Sequence, residues 1–136
     1  MKIVMLGSVA FAEKMNEIKE HLFVLGHDVY FSKLIQNYVG VSQEERYNQA
    51  VVNKSKFDLI KYYYDLIKEN DAIVVVNETK KEIEGYIGGN VLIEMGFAYV
   101  LNKKIFLLND IPDVSYKDEI VAMKPIVLNG DLSLIK

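Results

Sequence analysis

The sequence contains no cysteine and no tryptophan, a single arginine (Arg46) and only two prolines, Pro112 and Pro125. Without cysteine there can be no disulfide, thiolate metal ligand or thiol nucleophile. One arginine, in a chain with 16 basic against 19 acidic residues and a net charge of −3, argues against a face that binds a nucleic acid polymer. No run of about 18 apolar residues occurs, so no membrane span is expected. The opening Met1-Lys2-Ile3-Val4-Met5-Leu6-Gly7 is too short for the apolar region of a secretory signal and lacks its small-residue cleavage site. The two histidines, His21 and His27, have no metal-ligand company, and no Ser-His-Asp set is supported. What is present is 136 residues, 51% hydrophobic and 26% charged. The expectation is one globular domain, cytoplasmic, with no metal and no cofactor.

Apolar runs and helical periods alternate along the chain. Ile3-Val4-Met5-Leu6 reads as a buried strand ended by Gly7-Ser8. Phe11, Met15, Ile18, Leu22 and Leu25 then recur at helical spacing, with Gly26 to end the helix. Val29-Tyr30-Phe31 is a second strand near an edge. Ser42 followed by Glu45 reads as a capping box, opening a helical signal that runs with interruptions to Asn70. Its stripe is Phe57, Ile60, Tyr64 and Ile67, widened by Tyr63 and Leu66. Asp71 to Asn77 is the clearest strand, Asn90 to Leu101 an apolar helix, and Ile105 to Leu108 a fourth strand. Tyr116 to Met123 reads as a short helix and Ile126 to Leu128 as a fifth strand. Continuous apolar strands alternating with helices predict an α/β, flavodoxin-like, doubly wound parallel sheet of order 2-1-3-4-5, with helices on both faces.

Ligands of such sheets bind at the carboxyl ends of the strands. Here that edge collects Gly7-Ser8, Asn77-Glu78, Gly88-Gly89-Asn90 and Asn109-Asp110. Glu94 is the most informative residue, the only charged side chain between Glu84 and Lys103. A helix apolar nearly all round should be buried over most of its surface, so its carboxylate must be paired, hydrogen-bonded or raised in pKa. With Asn90 as N-cap, Glu94 falls at the fourth helical position, where an acid also stabilises the helix dipole by up to about 1 kcal/mol. Gly88-Gly89 would let backbone N–H groups approach a ligand, or would form a plain turn. The glycine spacing fits neither a dinucleotide fingerprint nor a Walker loop. Tyr62-Tyr63-Tyr64 reads either as a subunit contact or as one buried and two partly exposed rings.

Three segments together resemble the nucleoside 2-deoxyribosyltransferase-like superfamily, which includes the deoxynucleoside 5′-monophosphate N-glycosidases. They are Asp71-Ala-Ile-Val-Val-Val-Asn77, Tyr86-Ile-Gly-Gly-Asn-Val-Leu-Ile-Glu94-Met-Gly-Phe-Ala98 and Lys104-Ile-Phe-Leu-Leu-Asn109. The opening Lys2 to Ser8 and the Gly26-His-Asp-Val29 turn fit as well, so nearly the whole chain is covered in order. The resemblance implies Glu94 as a nucleophile on C1′ of a (deoxy)ribose. It gives Gly7, Ser8 and Phe11 to the sugar and base side, and Asn90 to the sugar or a phosphate. It also implies a homodimer or larger homo-oligomer, with Tyr62 to Tyr64 and the segment around Ser115 as contacts. Many members carry Asp or Ser where this chain has Gly88, and the transferases often have an acid where it has Asn77; Asn77 and the neighbouring carboxylate Glu78 are the expected catalytic companions of Glu94, and Gly88, Gly89 and Asn109 are expected to bind substrate. The expected substrate is a nucleoside or nucleoside 5′-monophosphate. The competing expectation is a nucleotide-binding sensor that uses the same pocket without turnover. A receiver domain of the response-regulator type is excluded, because Gly7-Ser8 and Asn77 stand where its acids belong.

Overall fold

The computed structural model describes residues 1–31, 40–48 and 58–136. Five strands form one all-parallel sheet of order β2-β1-β3-β4-β5. They are β1 (Lys2–Gly7), β2 (Asp28–Tyr30), β3 (Ala72–Val76), β4 (Lys104–Leu107) and β5 (Ile126–Val127). The helices between them are α1 (Ala12–Val24), α2 (Leu59–Lys68), α3 (Gly89–Val100) and α4 (Lys117–Ala122), with 3-10 turns at Val9–Phe11 and Leu132–Leu134. Residues 43–48 are also helical. This is the doubly wound sheet that the alternation of elements predicts.

The two-residue period of a strand sends alternate side chains to opposite faces. Ile3 and Met5 of β1, Ala72, Val74 and Val76 of β3 and Phe106 of β4 join Phe11, Met15, Ile18 and Leu22 in one core. Val4, Leu6, Ile73, Val75, Ile105 and Leu107 join Tyr63, Ile67, Val91, Met95, Ala98 and Ile120 in the other. α1 therefore covers one face, while α2, α3 and α4 cover the other. Burying a side chain such as Met95, which is wholly enclosed, stabilises the fold by about 1.5–3 kcal/mol before entropy is counted.

Several boundaries depart from the sequence reading for local reasons. Leu25 is exposed because α1 stops before it and Gly26 turns away with φ +90°. The capping serine does its work, since the Glu45 N–H donates to Ser42 Oγ at 3.3 Å. The helical signal toward Asn70 contains a fresh start, with Asp58 capping α2 through the Lys61 N–H at 3.1 Å. Phe57 lies outside the described residues. On α2, Tyr63 and Ile67 are buried and Ile60 is exposed, so the buried stripe is rotated from the one expected. Of the three tyrosines one is buried and two are partly exposed, and Tyr64 packs edge-on against Phe97 of α3. α3 ends where Asn102 adopts a left-handed φ of +58°. Among the described residues no helix is long and apolar enough to cross a membrane.

Candidate functional site

The carboxyl edge of the sheet is built from three loops. After β1, Gly7 is packed so closely that an added Cβ would meet the Val76 carbonyl oxygen at 3.1 Å and Met15 Sδ at 3.2 Å. Its missing side chain thus serves the contact between β1, β3 and α1. Ser8 caps the following 3-10 turn, accepting from the Ala10 N–H at 3.3 Å. Phe11 is buried in the core on the α1 side of the sheet, where it packs as an ordinary core residue.

Arg46 fastens this first loop from outside. Its guanidinium donates to the carbonyls of Val9 and Ala10, both at 3.2 Å, to the Val41 carbonyl at 2.8 Å and to the Glu13 carboxylate. Arg46 is buried, and its hydrogen bond, followed by one from the Gly40 N–H, lowers the Glu13 pKa to about 2. Composition gave one signal for this clamp, the solitary arginine; nothing in the sequence named its partners.

After β3, the chain enters a hydrogen-bonded knot. Asn77 is fully buried. Its Nδ2 donates to the carbonyls of Asn109 at 3.0 Å, Asp110 at 3.1 Å and Gly85 at 3.4 Å, and its Oδ1 accepts from the Asn109 N–H at 2.9 Å. Asn109 returns a bond from its own Nδ2 to the Asn77 carbonyl at 3.0 Å. Gly85 is required here, since its φ is +68° and a Cβ would stand 2.4 Å from the Asp110 carbonyl oxygen. The amides of Asn77 and Asn109 are therefore committed to joining the loops after β3 and β4. These amides, of residues expected to serve catalysis (Asn77) and substrate binding (Asn109), hold the two loops together.

Glu78 is half-buried beside the knot. It lines a cavity of about 750 Å³ between the same two loops, together with Glu82, Glu84, Asn109, Asp110 and Asp113. A smaller cavity of about 200 Å³, toward α1, also takes in Glu78 and Asn109. Glu94 lines neither of these two. With five carboxylates and no basic side chain on its wall, the larger cavity repels an anionic ligand. No cluster of His, Cys, Asp or Glu among the described residues could hold a metal ion.

The far end of the β3 loop leads into α3. Gly88, not Asn90, occupies the N-cap position, and no side chain caps the helix. The N–H groups of its first turn accordingly lack the side-chain acceptor that a capping residue supplies. Asn90 is the exposed second helical residue. Gly89 is exposed with nothing within 4 Å of a Cβ, whereas a Cβ on Gly88 would reach the Tyr86 hydroxyl at 3.2 Å. The Tyr116 hydroxyl donates to the Ile87 carbonyl just before this start. Burial, and then Tyr86 beside it, push the Tyr116 phenol up.

Glu94 is the sixth residue of α3 and is buried at 9% exposure, on the face that also buries Val91, Met95 and Ala98. The shift of the N-cap to Gly88 moves it past the first turn, which removes most of the helix-dipole explanation for an acid there. The opposite side of α3 is not covered: Ile93, Tyr99 and Val100 are exposed, so the helix is buried on one face only.

The structure thus joins Asn77, Gly85, Asn109 and Asp110 in one group, and Ser8 and Lys80 in another, where the Lys80 ammonium donates to Ser8 Oγ at 2.8 Å. Lys80, Arg46 and Gly85 are the residues that sequence reasoning missed. No protein-family model, no curated protein and no solved structure matches the chain.

Proposed function

We propose that the chain cleaves or transfers the N-glycosidic bond of a nucleoside or nucleoside 5′-monophosphate, with Glu94 as nucleophile. One observation carries the reading: Glu94 is the only buried carboxylate among the described residues, on a helix that starts at the ligand-binding edge of a doubly wound sheet. Burying an acid lowers stability unless its surroundings compensate, so such a group is a functional candidate on physical grounds.

In this reading a Glu94 oxygen bonds to C1′ of the sugar as the C1′–N bond breaks through an oxocarbenium-like transition state. The bonding pair leaves with the base nitrogen, which takes up a proton from Glu78 or water. Water then attacks C1′, the bond from Glu94 to C1′ breaks, and the carboxylate is regenerated as the water proton is lost to solvent. A second base in place of water gives transfer. Splitting one displacement into two is the logic of retaining glycosidases. Asn77 has no part as an acid, because its amide carries no ionisable proton and is bound to backbone groups.

The test is incubation with a panel of nucleosides and monophosphates, following free base by chromatography. Glu94→Gln is expected to lower base release by at least about 10²-fold. No release by the wild type, or equal release by the variant, removes Glu94 from this role. A second reading, a nucleotide-binding sensor without turnover, draws support from the commitment of Asn77 to structure; calorimetric binding with no product after long incubation would select it.

A further inference from the structure

The turn after β3 carries a lysine across to the loop after β1. Lys80 and Ile83 exchange both backbone hydrogen bonds, at 3.1 and 2.9 Å. The two residues between them, Lys81 with φ +53° and Glu82 with φ +62°, lie in the left-handed region. A two-residue turn of type I′ needs positive φ at both central positions, which Asn and Gly ordinarily supply. Here two long side chains hold that strained conformation, a feature that commonly marks functional loops. The Tyr86 N–H closes the loop by donating to the Glu78 carbonyl at 2.9 Å. Lys80 Nζ arrives 2.8 Å from Ser8 Oγ and 5.3 Å from the centroid of the Tyr86 ring.

A serine hydroxyl has one proton and two lone pairs, and an ammonium can only donate. Ser8 Oγ accepts from the Ala10 N–H at 3.3 Å and from Lys80 at 2.8 Å. Both lone pairs are occupied, so the hydroxyl proton is left to face an acceptor. Without Lys80 the hydroxyl could rotate and either give or take a hydrogen bond. We propose that Lys80 is a positioning residue which, acting through Ser8, makes the β1 loop a dedicated hydrogen-bond donor to a substrate oxygen. This assignment rests on the nucleoside reading of the Glu94 site and deepens it. The group meeting Ser8 is an acceptor oxygen, on either the sugar or a 5′-phosphate.

A double-mutant cycle with Lys80→Met and Ser8→Ala tests it. The probes are 2′-deoxyadenosine and its 5′-monophosphate, read as KM and kcat for base release and as calorimetric Kd, with Tm recorded for each variant. Each single change is expected to raise KM and Kd about tenfold with kcat altered less than twofold and Tm little moved. The double variant should be no weaker than Ser8→Ala alone, and Lys80→Arg, which keeps a cationic donor, should recover most of the affinity. Should Lys80→Met unfold, Lys80→Gln takes its place in the cycle. Loss confined to the monophosphate identifies a phosphate oxygen, and equal loss on both probes a sugar oxygen. Independent, multiplying effects overturn the proposal, as does a fall in Tm with unchanged Kd. Base release with a multiplying cycle sinks this role alone. Binding without release, with a non-additive cycle in Kd, sinks the glycosidase alone. Neither binding nor release of either probe overturns both.

Discussion

Replacing Asn77 is the sharpest test of how the carboxyl edge is built. Its amide makes two good donor bonds, at 3.0 and 3.1 Å, and accepts one at 2.9 Å; the 3.4 Å contact to Gly85 has to share a proton with these. Each such bond contributes about 1 kcal/mol net, and stranding its buried partner adds more. Asn77→Ala should therefore lose about 3–4 kcal/mol, a large share of the roughly 5–15 kcal/mol available to a domain. Asn77→Asp keeps the shape but turns an oxygen toward three carbonyl oxygens. The introduced carboxyl can donate to one of them, and only when protonated, so its folded pKa must lie above the unfolded value of about 3.9. A raised folded pKa means that the native state holds the proton more tightly, and stability falls as pH rises between the two values. The aspartate variant should then recover part of the loss near pH 4, where one of the two good donor bonds is restored, and fall well below that level at pH 7. Urea unfolding followed by far-UV circular dichroism at the two pH values measures both effects. A loss under about 1 kcal/mol for the alanine variant, or an aspartate variant as stable as wild type at pH 7, would refute the knot as a stabilising element.

The remaining predictions concern neighbouring loops and surfaces. Glu13, held near 2 by Arg46, contributes stability present above its unfolded pKa and lost as pH falls toward 2. Glu13→Gln should lower stability at pH 7 by less than about 1 kcal/mol, because its half-exposed side chain is screened by solvent, and the gap should close in acid unfolding curves between about pH 4.5 and 2. Gly85→Ala should destabilise by about 2 kcal/mol or more, given its positive φ and the 2.4 Å approach of the Asp110 carbonyl. Gly89→Ala, with open space around it, should leave the unfolding midpoint unchanged; a fall in ligand affinity at constant stability would show that the backbone there is approached by ligand. If a second copy covers the exposed Ile93 and Val100 of α3, light scattering should give more than one subunit's mass at micromolar concentration, and Ile93→Glu should return it to one.

The architecture was legible because its determinants are local: short β-branched runs make strands, helical spacing makes helices, and the handedness of crossovers limits their order. Where contacts decide, sequence reading stopped short. Asn77 looks like any polar residue ending a strand, and only the arrival of the β4 loop shows that its amide is already engaged. Gly7 and Gly88 have the same composition signature as ligand-approach glycines, yet Gly7 is set by Met15 and the Val76 carbonyl. Asn90 is a good N-cap residue by propensity, but the helix begins one residue before it, at Gly89, with Gly88 as the cap. Lys80 and Arg46 carry long-range hydrogen bonds, to Ser8 and to Val9 and Ala10, that no spacing rule encodes. Glu94 is the exception, since the apolar run around it already announces its burial.

The brevity of the two outermost strands has a colloidal consequence. β2 has three residues and β5 two, so each rim of the ribbon offers a stranger's backbone only a stub to template upon. Among the described residues, fibre-like growth by strand addition is thereby starved of a start, and any contact between copies would have to run through side chains in place of backbone ladders.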